Sequence, residues 1–488
     1  MRLMDLIDGV SLTDVFGDAT VEVQSPQFDS RKVGSGDVFV AVSGTQVDGH
    51  NFVPQVIKNG ARAVICEIPP QERPAEVTFV VVPNSSVALG IIAQNFYGRP
   101  SLKLKVVGIT GTNGKTTTAT SLYSLFSNLG RTCGLLSTIR NVVGEKTIPA
   151  THTTGDALQI GALMAQMVEH GCSHCFMEVT SHAIDQQRIA GVLFSGAAFT
   201  NLTHDHLDYH KTFEAYRDTK RRFFDSLAPD AFALTNSDDA NGAYMTSNTN
   251  ARRYTYGKYG EDFRLEITRL TSEGSSIRIN GKPIEMQLIG AFNAYNACAV
   301  FGTASLLGIG AEDLVASLPK LKPVEGRMQK IVSVGGVVGV VDFAHTPDAL
   351  EKALVTLRDF VGAGRIITVV GCGGDRDREK RPIMGAIAAR ESDRVFLTSD
   401  NPRSEDPARI IDEMYNGITA VDRPKVQRIV DRLSAIHAAC GEAQSSDVVL
   451  VAGKGHEKYQ EIAGVRNPFD DTTTLIEALR PVVNVGDT

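Results

Sequence analysis

The chain carries no surplus of positive charge: 49 lysines and arginines stand against 56 aspartates and glutamates, a formal charge of −7 over 488 residues. That leaves no global basic field of the kind duplex nucleic acid requires, so no nucleic-acid partner is expected. No apolar run approaches the ~20 residues of a membrane span. Near the N-terminus Asp5, Asp8 and Asp14 stand where a secretory leader would have a basic flank and an apolar core. No membrane insertion and a cytoplasmic location are therefore expected. An even cysteine set is also lacking. The seven cysteines, scattered from Cys66 to Cys440, fit buried or free thiols better than a disulfide framework. Cys172 and Cys175 have C-x-x-C spacing, but no second pair accompanies them and Cys175 runs into the apolar Phe176-Met177. That weighs against a zinc or redox role. No internal repeat and no low-complexity tract is visible.

What is present is a globular composition, 42% hydrophobic and 22% charged, in a chain too long for one core. About three domains are expected. Short β-branched runs at 37–42 and 61–65 precede the punctuating stretch Gly98-Arg99-Pro100-Ser101, where the first boundary is placed. Apolar runs at 134–138, 175–179 and 196–200 then alternate with amphipathic ones at 158–169 and 213–227. This alternation implies a mostly parallel sheet with crossover helices. An Ala- and Leu-rich helix at 294–307 leads to Pro319, Pro323, Gly326 and Arg327, where the second boundary belongs. Beyond it, β-rich runs at 337–343, 365–370, 395–398 and 448–451, with a helix at 348–360, predict a second and smaller α/β sheet. The expected domains are 1–99, 100–326 and 327–488. The expected class is α/β throughout: a small N-terminal domain, a central domain on a mostly parallel sheet and a smaller C-terminal α/β domain.

The segment from Val106 to Thr117 reads as a strand, a phosphate-cradling loop and a helix start. In such a loop glycines permit close backbone approach to phosphates, the lysine neutralises them and the following hydroxyl reaches magnesium. Gly114, Lys115 and Thr116 supply that ending. A strict Walker pattern wants glycine where Ile109 stands; glycines sit instead at Gly108 and Gly111, so the match is a variant. ATP use follows, but not the destination of the phosphoryl group, because kinases, transporters, switches and ligases share such loops.

Other clusters are more ambiguous alone. Asn201 to His210 packs three histidines and two aspartates after a strand, readable as a transition-metal site, as magnesium ligands or as loop polars. Glu178 ends an apolar strand on the sheet edge shared with Lys115, where a magnesium ligand belongs. Lys220, among Arg217, Arg221 and Arg222, reads from its neighbours as a solvated helix face. In the last third, Gly371 to Arg378, Asp400 to Arg403 and Gly453 to Glu457 each follow a strand. Three such strand-end loops would converge on one pocket. Arg376 and Arg403 suit a carboxylate held bidentately, and Asn401 and Glu457 suit an ammonium, so an amino acid fits.

Together these residues resemble the Mur ligases of bacterial cell-wall synthesis over essentially the whole chain. The resemblance rests on Gly111 to Thr116, Glu178 to His182, Asn201 to His210, Asn293, Asn296, Arg327 and Asp342 to Asp348. It implies a small N-terminal α/β domain for the UDP end of the substrate, a central P-loop ATPase domain and a Rossmann-like C-terminal domain for the amino acid, together an ATP-dependent amide ligase, with magnesium as cofactor, working through an acyl phosphate. Carried over by resemblance, ATP contacts fall on Gly111, Thr112, Asn113, Gly114, Lys115, Thr116, Thr117, Asn293, Arg327, Asp342 and His345. Contacts to a UDP-N-acetylmuramoyl dipeptide fall on Ser30, Thr45, Gln46, Val47, Thr153, Thr154, Thr180, Gln186 and Arg188. Lys220 matches a lysine that the family carries as a carbamate (N6-carboxylysine), completing a cation site with Thr116, Glu178 and His206. Lys115, Lys220, His206 and Glu178 are the catalytic set implied.

Asp400-Asn401-Pro402-Arg403 looks like the pattern of members that add meso-diaminopimelate; lysine-adding members usually lack the arginine. Arg376, Asp400, Asn401, Pro402, Arg403, Gly453 and Glu457 are the positions this implies. The physics agrees, since a guanidinium fork rewards the extra carboxylate of diaminopimelate. A monomer is expected. The competing readings are a lysine-adding member, a folylpolyglutamate synthetase sharing the ATPase core, and a switch module that hydrolyses ATP only to change shape.

Overall fold

The computed structural model describes residues 1–44, 47–150 and 152–479. The N-terminal part is a five-stranded sheet in the order Asp14–Phe16, Thr78–Val81, Ala63–Cys66, Val38–Val40, Pro26–Gln27. Only its first pairing is antiparallel. The three central strands are buried along their whole length, as continuous β-branched runs covered on both faces should be. One covering element is the helix Ser85–Phe96, whose first turn is capped by the Asn84 side chain accepting from Val87 N–H.

The central part is built on an eleven-stranded sheet. Seven strands run parallel, in the order Phe263–Leu270, Arg252–Gly257, Phe232–Asn236, Gly196–Phe199, Lys105–Thr110, His174–Glu178, Cys133–Leu136. Antiparallel hairpins extend both edges: Arg140–Val143 with Lys146–Pro149, and Ser275–Ile279 with Lys282–Met286. Helices Lys115–Asn128, Ala157–Glu169, Phe213–Asp225 and Ala291–Leu306 cover the sheet, close to the predicted spans. The stretch from Phe232 to Met286, unassigned from sequence, supplies strands instead of a linker. Its half-exposed strand Phe263–Leu270 begins with strict in–out alternation of buried and exposed residues.

The C-terminal sheet has six strands, ordered Gln329–Val332, Val338–Asp342, Val448–Ala452, Ile366–Val370, Arg394–Leu397, Val426–Arg428, and only the first is antiparallel. Separate apolar clusters lie on its two faces. Helices Pro347–Val361 and Lys380–Glu391 cover one; Arg432–Glu442 and Asp471–Ala478 cover the other, which makes a doubly wound α/β unit. In both large sheets the loops that leave the C-terminal ends of parallel strands carry the polar clusters. Among the described residues no helix is long and apolar enough to cross a membrane.

Candidate active site

The strand Lys105–Thr110 runs into a turn at Gly111 and the helix that begins at Lys115. Gly111 has φ +144°, and a Cβ there would fall 2.0 Å from Thr200 Oγ1, so only glycine lets the loop lie against the next strand end. Ile109, where the strict Walker pattern has glycine, is a buried strand residue paired with Ala198 and Glu178. Lys115 Nζ donates to Gly111 O at 3.0 Å and Thr112 O at 2.7 Å, curled onto its own loop. Burial lowers its pKa from the ordinary lysine value.

Lys220 corrects its first reading. It is 1% exposed, on the face of its helix that also buries Tyr216, Phe223 and Phe224, while the neighbouring arginines reach other partners. Its Nζ donates to the same Gly111 carbonyl, at 2.9 Å. Burial first, and then the Lys115 charge, depress its pKa well below the ordinary lysine value.

Glu178, fully buried at the end of its strand, accepts from three donors. Thr116 Oγ1 reaches Oε2 at 2.9 Å; Thr138 N–H and Oγ1 reach Oε1 at 2.7 and 3.0 Å. Arg327, at the entry to the C-terminal unit, donates from Nη2 to Thr116 Oγ1 at 3.1 Å. The loop end, the carboxylate and the C-terminal unit thus meet at one hydroxyl. Thr138 was not singled out from sequence; its position at the end of a strand beside the loop was the available signal.

His206 is half-buried, and burial pushes its pKa down to about 3 despite Asp205 Oδ2 lying 3.3 Å away. Burial alone would raise Asp205, but His206, His345, Lys380 and Lys115 hold it at about 2. The imidazole is therefore neutral and the carboxylate charged near pH 7. His182 packs edge-on against His206 and His210, with Tyr209 at 4.2 Å between centroids. Among the described residues no group of three or more His, Cys, Asp or Glu side chains is placed to hold a metal ion. Carboxylate and hydroxyl oxygens at Glu178 and Thr116 suit a hard divalent cation better than a transition metal.

Next to the loop lies a cavity of ≈ 440 Å³ bounded by Asn113, Gly114, Thr117, Asn293, Asn296 and Arg327. Arg327 lines this cavity, and its buried Nε has no hydrogen-bond partner among the described residues. Asp342 lines the cavity too, accepting from Met328 N–H at 2.7 Å. His345 is held by Phe343 O at 2.8 Å, its pKa pushed down to about 4 by burial. Tyr256, Phe292 and Tyr295, unread from sequence, supply flat walls.

A second cleft, ≈ 1140 Å³, lies between the N-terminal and central parts and gathers Ser30, Val47, Gln186 and Arg188. Thr45 and Gln46 lie outside the described residues. Thr153, Thr154 and Thr180 connect this cleft to the loop. Arg188 Nη1 donates to Thr154 O at 3.0 Å, Thr154 Oγ1 to Glu178 O at 2.8 Å, and Thr138 Oγ1 to Thr153 Oγ1 at 3.1 Å. Thr154 and Thr180 hydroxyls are 3.3 Å apart. Tyr209, within the cluster at 201–210 but given no role of its own from sequence, bridges Gln186 and Asp185 inside the cleft.

The three C-terminal loops do converge. Asn401 Nδ2 donates to Glu457 Oε2 at 2.7 Å, and Arg403 Nη1 to Gly374 O at 2.6 Å. Gly453 has φ +117° and any Cβ would fall 2.4 Å from Asp400 Oδ2. Pro402 continues the loop, and its carbonyl packs against Gly374. Arg376 is exposed on the neighbouring loop, with no side-chain hydrogen bond among the described residues. The loops also bring in Lys454, wholly buried yet read from sequence only as part of a turn.

Three family models match the chain: "Mur ligase family, catalytic domain" over 22–97, "Mur ligase middle domain" over 109–304 and "Mur ligase, glutamate ligase domain" over 326–455. A relative from Cytophaga hutchinsonii, UDP-N-acetylmuramoyl-L-alanyl-D-glutamate--2,6-diaminopimelate ligase, is 51% identical across 98% of this chain and 99% of its own. A protein of the same description from Phocaeicola vulgatus is 47% identical across 97% and 99%. A solved structure of a ligase of that description superposes with a TM-score of 0.68 at 32% identity, covering 98% of both chains.

Proposed function

The chain belongs to the Mur ligase family, and from that premise we propose that it joins 2,6-diaminopimelate to the D-glutamyl residue of UDP-N-acetylmuramoyl-L-alanyl-D-glutamate, using ATP, in peptidoglycan synthesis. The observation that carries this reading is the Thr116 hydroxyl, which donates to Glu178 and accepts from Arg327. Through it the phosphate loop, the strand end that Thr154 joins to the dipeptide cleft and the entry to the C-terminal unit share one point. The working division is 1–99 for the UDP end, 100–326 for ATP and 327–488 for the amino acid.

The D-glutamyl carboxylate attacks the γ-phosphate and ADP leaves; the amine of diaminopimelate then adds to the acyl carbon of the acyl phosphate, and the tetrahedral intermediate loses the amine proton and expels inorganic phosphate to leave the amide. Lys115 exchanges the Gly111 and Thr112 carbonyls for phosphate oxygens. Arg327, which lines the same cavity, turns its guanidinium to these phosphates. Both act electrostatically, on charge that grows as the phosphoryl group moves. Thr116, Glu178 and His206 would hold magnesium, which when bound supplies further positive charge to the phosphate oxygens.

Lys220 fits a carbamate. The neutral amine that burial favours adds its lone pair to carbon dioxide and releases one proton, so an uncharged group beside Lys115 becomes an anion. The loops then close over the site, because an acyl phosphate exposed to water hydrolyses. A monomeric, cytoplasmic enzyme completes the proposal. The mechanism is tested with the D-glutamyl carboxylate labelled with ¹⁸O: label should appear in released phosphate, and unlabelled phosphate would reject the acyl phosphate.

A further inference from the structure

An asparagine amide offers a donor on one side and an acceptor on the other, so its orientation decides what a pocket presents. At Asn401 that orientation is fixed from within the chain. Oδ1 accepts from Lys454 Nζ at 3.0 Å and from Glu461 N–H at 2.9 Å, while Nδ2 donates to Glu457 Oε2 at 2.7 Å. Lys454 Nζ donates to that same Glu457 oxygen at 2.9 Å. The ammonium is wholly buried, 5.4 Å from the centre of the Tyr459 ring. Lysine, asparagine and glutamate thus form a closed triangle. Outside it, Glu457 Oε1 and the second Nδ2 hydrogen have no partner among the described residues.

We propose that Lys454 is a positioning residue for the amino-acid substrate: it locks the Asn401 amide and the Glu457 carboxylate so that one N–H and one carboxylate oxygen stand free together. That pair complements the carboxylate and the ammonium of a zwitterionic amino acid. The lysine charge also balances Glu457, so an incoming zwitterion meets a pocket without net charge from this pair, and neither partner is left uncompensated in a desolvated site. The inference rests on reading these loops as the amino-acid site. Lys454 touches the two groups that meet the substrate and acts through them.

The test uses the full-length enzyme with ATP, the UDP-linked dipeptide and diaminopimelate, following phosphate release. Lys454→Met should raise the KM for the amino acid by about tenfold or more, with the KM for ATP and for the dipeptide unchanged. In a Glu457→Gln background the same replacement should cost much less, because the two residues act through one contact. Packing alone would give equal factors in both backgrounds. If Lys454→Met does not fold, Lys454→Gln, which keeps a donor without the charge, carries the same comparison. Equal factors, or a KM for the amino acid that does not move, would overturn the proposal. The wild-type arm separates the two ideas: if it turns over with lysine and not diaminopimelate, the substrate assignment fails while Lys454 is judged on the KM for lysine. If neither amino acid stimulates it, both fall.

Discussion

Arg432 and Asp471 are each wholly buried and joined by two 2.7 Å hydrogen bonds, Nε to Oδ1 and Nη2 to Oδ2. The guanidinium also donates to Ala452 O at 3.0 Å and Ser399 O at 3.4 Å, the carbonyls just before Gly453 and Asp400. One ion pair therefore ties together the two strand ends from which the 400–403 and 453–457 loops leave. Asp471→Ala leaves a guanidinium without its counter-charge in a dry site, a loss of about 3–5 kcal/mol. At about 2–4 °C per kcal/mol for a unit of this size, the melting transition of the C-terminal part should fall by about 6–20 °C. Scanning calorimetry of the full chain, with and without ATP, reads this directly. The double replacement Arg432→Met with Asp471→Leu removes both charges and should recover most of the loss, since a buried pair is worth little against apolar packing. An Asp471→Ala transition within about 2 °C of wild type, or a double variant as damaged as the sum of the singles, would refute the reasoning.

Lys220→Ala should abolish dipeptide-dependent phosphate release and regain part of it with added short carboxylates such as formate or acetate; full activity without rescue would count against the carbamate. Arg403→Ala removes a charge-assisted contact of about 1.5–3 kcal/mol, so the KM for diaminopimelate should rise about 10- to 150-fold and the preference over lysine should narrow. An unchanged ratio of the two amino acids would show that another group reads the extra carboxylate. Stability should also fall with acid. His174 and His210, 4% and 8% exposed, are pushed down by burial to about 4, against 6.5 for a free histidine. Below pH 6.5 the unfolded chain therefore binds more protons than the folded one. Each ring removes up to about 1.4 kcal/mol of stability per pH unit until about pH 4. The urea midpoint should be lower at pH 5 than at pH 7, and a level or rising midpoint would contradict this.

The phosphate loop was legible because its chemistry requires glycines, a lysine and a hydroxyl in fixed order between a strand and a helix. The strand-end loops were legible for a similar reason: parallel strands deliver their C-terminal ends to one edge. Lys220 misled because its immediate neighbours are arginines, yet Tyr216, Lys220, Phe223 and Phe224 follow a helical repeat that puts them on one buried face. Thr138, Tyr209 and Lys454 carry no motif of their own: Thr138 has only its place after a strand, Tyr209 only its place in the cluster at 201–210 and Lys454 only its place in a turn. Each is a single polar residue whose role appears only when distant strands bring Glu178, Gln186 and Asn401 to it. The hairpins at the edges of the central sheet were missed because half-exposed strands dilute the apolar runs that mark buried ones, leaving only alternation to find them.

The most direct test of the account supplies purified protein with UDP-N-acetylmuramoyl-L-alanyl-D-glutamate, ATP and magnesium, and compares phosphate release with meso-diaminopimelate and with L-lysine. The account predicts release that needs the dipeptide and an amino acid, with diaminopimelate strongly preferred. Release that ignores the dipeptide, or that favours lysine, would contradict it.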